Sequence, residues 1–205
     1  LSDSDIVSNI DIDKLISAHK KSGAGITIAY KKGALPKAQR KTMVLNLTKT
    51  GNVKDIHYAQ DREDNCCYSI DTFVVSRQLL IDIVSVASKY NAPTPSKEIF
   101  ANTIGDITVD SYEIKEFAEI IYSKERYAEI SMSLLNRENR EQLFSSERPV
   151  YTKTRDDMPT RYGVSSKADN CLIAGGSVIE GTVKNSILFR AVNVGADAQI
   201  SDSII

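Results

Sequence analysis

The chain has 205 residues, 41% of them hydrophobic and 26% charged, with a net charge of −1. That composition is ordinary for a globular chain of one or two domains, and a charge so near zero offers no electrostatic footprint for nucleic acid or an anionic membrane. No apolar run approaches the roughly 18 residues that cross a bilayer, and no basic-then-apolar start suggests a secretion signal.

Asp11 to Ser22 reads as the first helix. Asp11 caps it, Ile12, Leu15, Ile16 and His19 share one face, and Gly23 ends it. His19, on that apolar stripe, reads as a core or boundary residue. Ile26 to Tyr30 follows as a short buried strand. Met43 to Thr48 and Val53 to Tyr58 read as strands joined by a hairpin turn through Lys49-Thr-Gly-Asn52. His57 lies on a solvated strand face. The charged run Asp61-Arg-Glu-Asp64 reads as a loop, and Tyr68 to Val75 is a β-rich stretch. Ser76 caps a second helix with the stripe Leu79, Leu80, Ile83, Val84 and Ala87. Asn91-Ala-Pro-Thr-Pro95 breaks it. Ile107 to Ile114 and Ala118 to Tyr122 are further strands. Ser123 caps a last helix with Tyr127, Ile130 and Leu134 inward.

Helices and strands alternate up to about residue 144, which predicts a layered α/β domain with a mixed sheet. Ser145-Ser-Glu-Arg-Pro149 marks its boundary. The polar, irregular stretch that follows reads as a linker.

From Ile173 the sequence repeats every six residues. Ile173, Ile179, Ile187, Val194 and Ile200 each open a unit, and a small or β-branched residue usually sits four places later. This is the hexapeptide signature of a parallel β-helix, in which the opening aliphatic residue points into a narrow core. One coil cannot bury its own face, so coils stack, and exposed ends predict an oligomer. Leu1 is not a natural start and Ile205 falls in mid-repeat, so the chain reads as a fragment of a longer protein. The three cysteines, Cys66, Cys67 and Cys171, lack both a disulfide framework and zinc-site spacing. They read as small apolar residues in a reducing, cytoplasmic setting.

The stretch Leu1-Ser-Asp-Ser-Asp-Ile6 is followed by Ile12, Leu15, Ile16, His19-Lys-Lys-Ser-Gly-Ala24 and Thr27-Ile-Ala29. It resembles the middle of the ADP-glucose pyrophosphorylase (glucose-1-phosphate adenylyltransferase) family. There a strand ending in L-S-G-D-H precedes a helix, then H-K-x-x-G-A and a T-I-A strand. Asn170-Cys-Leu-Ile173, Gly176-Ser-Val178 and Val183-Lys-Asn-Ser-Ile187-Leu-Phe189 are similar to that family's entry into its left-handed β-helix. The resemblance implies a partial, Rossmann-like nucleotidyltransferase domain over residues 1–146, a linker over 147–169 and a truncated left-handed β-helix over 170–205. The family's Gly-rich loop, which cradles the nucleotide phosphates through backbone N–H groups, would lie before Leu1.

The family's reaction is attack of a sugar phosphate on the α-phosphorus of ATP with release of pyrophosphate. It requires Mg²⁺ held by carboxylates and cations for the sugar phosphate. Carried over position by position, the metal aspartate of G-D-H is Ser4, the lysine of E-E-K-P is Ala59, and the aspartate of W-R-D-V-G is Ile120. Ser69 matches the sugar-contacting serine of S-M-G, and Lys97 matches the lysine of F-G-K-D. Three replacements against two retained residues imply the family's non-catalytic partner subunit. Such a chain keeps no cofactor and assembles with a catalytic subunit, in a hetero- or homo-tetramer. The family binds sugar-phosphate effectors through cations at the junction of its two domains, and Lys153, Arg155 and Arg161 are candidates for that role.

Three alternatives remain open. Asp3, Asp5 and Glu119 lie within one residue of the lost carboxylates and would hold Mg²⁺ in a catalytic enzyme, although a one-residue slip along a strand reverses the side chain's face. A hexapeptide-repeat acyltransferase would place a catalytic histidine on the solenoid, and residues 170–205 contain none. A pure scaffold would bind no small molecule.

Overall fold

The structure is a computed structural model, and it describes residues 1–35, 41–60, 63–89 and 107–205. The chain divides into two compact units, Leu1–Tyr122 and Ser123–Ile205.

The first unit is built on a five-stranded sheet in the order β4-β3-β5-β2-β6. Its strands are β2 (Ile26–Leu35), β3 (Thr42–Leu47), β4 (Val53–Ala59), β5 (Glu63–Val75) and β6 (Val109–Glu113). All neighbours are antiparallel except β2 and β6, which run parallel. The sheet is therefore mixed, as the alternation of elements predicts. Side chains alternate along β2. Ile26, Ile28 and Tyr30 join Met43, Leu45 and Phe73 in one core cluster, whereas Ala29 joins Ile70, Ile114 and Ala118 in another.

One helix contributes to each cluster. α1 (Ile12–Ser22) places Leu15 in the Ala29 cluster, and α2 (Arg77–Lys89) places Ile83 in the Ile28 cluster. Burying such a side chain contributes about 1.5–3 kcal/mol. Local sequence sets the ends of α1. Asp11 Oδ1 accepts from Lys14 N at 3.0 Å, and Gly23, at φ +68°, donates its N–H to His19 O. A left-handed residue there suits glycine, which has no Cβ to clash. Ser76 caps α2 by accepting from Leu79 N. Val84, expected on the inward stripe of α2, is 48% exposed, and Ile83 takes the buried place.

β2 and β5 are longer than their apolar cores. Lys31, Lys32, Glu63 and Asp64 lie on strands, because ladder hydrogen bonds carry polar residues whose side chains reach solvent or an ion-pair partner. The loop expected at Asp61–Asp64 is thus overturned at Glu63 and Asp64, and residues 61–62 lie outside the described residues. Two irregularities bend β5. Asn65 and Asp71 take positive φ there, and Ile70 and Asp71 are extra to the β2 register between Ser69 and Thr72. Apart from the sheet, β1 (Ile6–Ser8) and β7 (Ala118–Ile120) form a two-stranded antiparallel ladder.

The second unit begins with two helices where the sequence predicts one. α3 (Lys124–Ser133) is capped by Ser123, and α4 (Arg137–Leu143) is capped by Asn136. Tyr127 is 43% exposed instead of inward. α3 stops at Ser133, so its apolar stripe is short, and Ile130 alone in it is fully buried.

Three parallel sheets follow, formed by successive coils. The first coil supplies β8 (Arg161–Tyr162), β9 (Lys167–Asp169) and β10 (Leu172–Ile173). The second supplies β11 (Val178–Ile179), β12 (Thr182–Lys184) and β13 (Ile187–Leu188). The third supplies β14 (Asn193–Val194), β15 (Gln199–Ser201) and a bridge at Ile204. β11 lies between β8 and β14, β12 between β9 and β15, and β10 pairs β13. Ile179, Val183, Leu188 and Val194 form the core, with Ile173 and Ile200 packed on it. Four of the five repeat-opening residues therefore face inward as the six-residue period requires. The fifth does not: Leu188, 1% exposed, takes the place expected of Ile187, since the ladder sets Leu188 beside Ile173.

Corners repeat as well as strands. Asn170, Asn185 and Asp202 all take left-handed φ near 45–49°. Asn170 Nδ2 donates to Asn185 Oδ1 at 2.9 Å, and Asn185 Nδ2 donates to Asp202 Oδ1. Buried Ser177 and Ser186 accept from Val192 N and Ser203 N of the next coil. No buried hydroxyl is left without a partner at these corners.

Candidate functional site

The segments that hold the two lost carboxylate positions lie side by side in the first unit. Ile6 lies opposite Ile120 in the β1–β7 ladder, and Ile121 N donates to Asp5 O at 2.8 Å. The ladder thus carries the segment holding Ser4 alongside the segment holding Ile120. Ile120 is 7% exposed, a hydrocarbon side chain sealed into the fold, whereas Ser4 is exposed in a bend before β1. The expectation that Asp3 and Asp5 sit on a strand is corrected, because β1 starts only at Ile6.

Glu119 alternates to the other side of β7 from Ile120. Its Oε1 is 3.2 Å from Lys31 Nζ, and the same ammonium donates to Ala118 O at 3.0 Å. This pair is only one-fifth exposed, so the cation beside Glu119 is a lysine of the chain itself. A hydroxyl and a hydrocarbon do not fit Mg²⁺, which takes hard oxygen donors in near-octahedral geometry. Among the described residues no group of three or more His, Cys, Asp or Glu is arranged to hold a metal.

The other substrate positions are equally plain. Ala59 lies opposite Thr42 at the end of β4 and packs with Leu35 and Val44, so its place is apolar. His57 sits two residues earlier, with Nε2 3.3 Å from both carboxylate oxygens of Glu63. Ser69 is 0% exposed, and its Oγ accepts from Asp71 N at 3.0 Å, which holds the β5 bulge. Lys97 lies outside the described residues. In the second unit Lys153 and Arg155 are exposed on an irregular segment, and Arg161 on β8 has a guanidinium nitrogen 3.8 Å from Glu180 Oε1. No hydrogen bond or ion pair joins these three cations.

Sequence reading missed a polar cluster on the opposite face of β2. Lys32 Nζ is 2.7 Å from Glu113 Oε2 and 5.9 Å from the centre of the Tyr30 ring. The hydrogen bond from Lys32 holds the Glu113 carboxyl below its usual range and raises the lysine. Burial, then the Glu113 charge, raises the Tyr30 phenol. Burial also pushes up the Cys66 and Cys67 thiols, so neither is poised as a nucleophile. The signal for the cluster was Lys31-Lys32 after a buried run, since alternation must send the two ammoniums to opposite faces.

Comparison with known proteins bears on this arrangement. Residues 156–205 match the family described as GlmU-like, C-terminal hexapeptide. Over 132 residues, 64% of the chain, the sequence is 36% identical to the glycogen biosynthesis protein GlgD of Bacillus subtilis (strain 168). Over 70 residues, 34% of the chain, it is 50% identical to the glycogen biosynthesis protein GlgD of Geobacillus stearothermophilus. The chain is related to the GlgD proteins. It spans 38% of the Bacillus relative and 20% of the Geobacillus one. The resemblance to an ADP-glucose pyrophosphorylase-related sequence, drawn from the residues at its two ends, stands on these relatives.

Proposed function

We propose that this chain is part of a regulatory, catalytically impaired subunit of bacterial glucose-1-phosphate adenylyltransferase, acting in glycogen biosynthesis. The observation that carries the reading is Ile120, buried in the β1–β7 ladder beside the segment of Ser4. Relatives named for glycogen biosynthesis support the pathway. Loss of one electrostatic contact to a transition state typically costs about 10²–10³-fold in rate, so losing both carboxylates leaves little turnover. The subunit acts by association. It binds a catalytic subunit in a tetramer and favours that partner's active population. The coils of the second unit are left-handed, the setting is cytoplasmic, and Lys153, Arg155 and Arg161 receive a sugar-phosphate effector.

The test is ADP-glucose formation from ATP and glucose 1-phosphate by the full-length protein, alone and mixed with its cognate catalytic subunit. Activity confined to the mixture, with an altered maximal rate or effector response, is the expected result. Full activity of the protein alone overturns the reading. It would transfer the metal to Asp3, Asp5 and Glu119, in which case Asp5→Ala or Glu119→Ala abolishes turnover.

A further inference from the structure

The segment Asp157–Thr160 leads into the first coil and lies across two corners of the stack. Met158 O accepts from Gly176 N at 2.6 Å, and Thr160 Oγ1 donates to Ala174 O at 3.0 Å, both in the corner between the first and second coils. Asp157 reaches one corner further. Its Oδ2 is 3.3 Å from Arg190 Nε, in the corner between the second and third coils. A Cβ on Gly175 would sit 3.4 Å from Met158 O and 3.6 Å from Asp157 Cβ, so the segment rests almost on the backbone of the corner.

Polar contacts, and little else, hold this segment down. Asp157 is exposed, Met158 is 80% exposed, and neither joins the coil core. From Arg161 onward ladder bonds take over. Arg161 N donates to Ser177 O and Gly163 N to Ile179 O, beside the buried core residue Ile179. The side chains of Asp157 and Arg190 are 38% and 50% exposed, so salt screens the pair. A segment with few apolar contacts belongs to the low-stability end of local opening, whereas a packed coil does not.

We infer that Asp157–Thr160 is an ion-pair latch, which opens as salt screens Asp157 from Arg190 while the coils beneath it stay folded. Opening uncovers the Gly176 amide and the Ala174 carbonyl. It also frees the exposed stretch before it, since Lys153 and Arg155 lie within four residues of Asp157. The closed latch tethers those two cations to the solenoid, and the open latch releases them. The device stands whether or not the subunit is catalytic, and whether or not those cations receive an effector.

Hydrogen exchange read by NMR on the full chain tests this. The Gly176 amide reports the latch, and the Val178 amide, which donates to Val192 O, reports the stack beneath it. Arg190→Gln is expected to speed exchange at Gly176 roughly two- to fivefold, the range of an exposed ion pair, and to leave Val178 unchanged. Raising NaCl from about 0.01 to 1 M shortens the screening length from about 30 to 3 Å. In the wild type it speeds Gly176 relative to Val178, and in Arg190→Gln it has no such effect. Arg190→Lys keeps the salt response. Thr160→Val loses the hydroxyl donor to Ala174 O and loosens the latch, again with the salt response kept. The charge-swapped double variant, Asp157→Arg with Arg190→Asp, recovers the protection that each single reversal loses. Wild-type exchange at Gly176 in Arg190→Gln overturns the proposal. So does acceleration of Val178 in step with Gly176, which would make the opening an unfolding of the coils, and so does a double variant no better protected than either single one.

Discussion

An isoleucine at position 120 has no lone pair for a hard cation, and the fold seals it where a carboxylate would be desolvated. Ile120→Asp puts a charge into a site 7% exposed, at an expected loss of about 2–4 kcal/mol. Thermal unfolding measures the loss, and excess Mg²⁺ does not relieve it, because Ser4 supplies no second carboxylate. In the Ser4→Asp, Ile120→Asp double variant the two adjacent segments carry both carboxylates, and Mg²⁺ is expected to raise the melting temperature. No Mg²⁺ response in the double variant would show that the two side chains do not converge. Glu113 gives a second residue-scale expectation. Its folded carboxyl titrates below its usual value of 4.5, through the hydrogen bond from Lys32. A depressed carboxyl stabilises the fold above the unfolded value, and the contribution is lost as pH falls through the folded one. Wild type is therefore more stable than Glu113→Gln at neutral pH, and the gap between their melting temperatures closes below about pH 4.5. A gap that stays constant from neutral pH downward would remove the pair as its cause.

At the scale of elements, the coil ladder decides which aliphatic residues matter. Leu188→Ala removes a fully buried side chain from a core one residue wide per strand, at an expected 2–5 kcal/mol. Ile187→Ala removes a half-buried one, at about 1 kcal/mol or less. Urea unfolding of the two variants checks the order, and equal losses would mean the register of β10 and β13 is wrong. The six-residue period placed Ile173, Ile179, Val194 and Ile200 correctly but missed this swap. Two adjacent aliphatic residues satisfy the period equally well, and only pairing with Ile173 distinguishes them. Caps were legible for a related reason: Asp11, Gly23, Ser76 and Ser123 act on backbone groups within a few residues, so their signal is local. The extensions of β2 through Lys31 and Lys32 and of β5 through Glu63 and Asp64 were not legible. Those residues are held by cross-strand hydrogen bonds and by partners far along the chain, Glu113 and Glu119 among them.

At the scale of the whole molecule, each compact unit has hydrophobic clusters of its own: among the described residues, three on the five-stranded sheet and one within the coils. A unit with its own core opens as its own cooperative block. The coils form a quasi-one-dimensional stack in which each coil is stabilised by its neighbours, so damage to the middle coil reaches both others. Leu188→Ala is therefore expected to speed hydrogen exchange at Val178, Glu180 and Thr182, whose amides donate to Val192, Val194 and Ala198 of the next coil. The same variant leaves protection unchanged at the paired residues Ile28 and Phe73 of the sheet. Exchange read residue by residue by NMR separates the outcomes. If Ile28 and Phe73 accelerate with the coil amides, the two units unfold as one block and stability is shared along the whole chain. If only the coil amides accelerate, the solenoid holds its own stability.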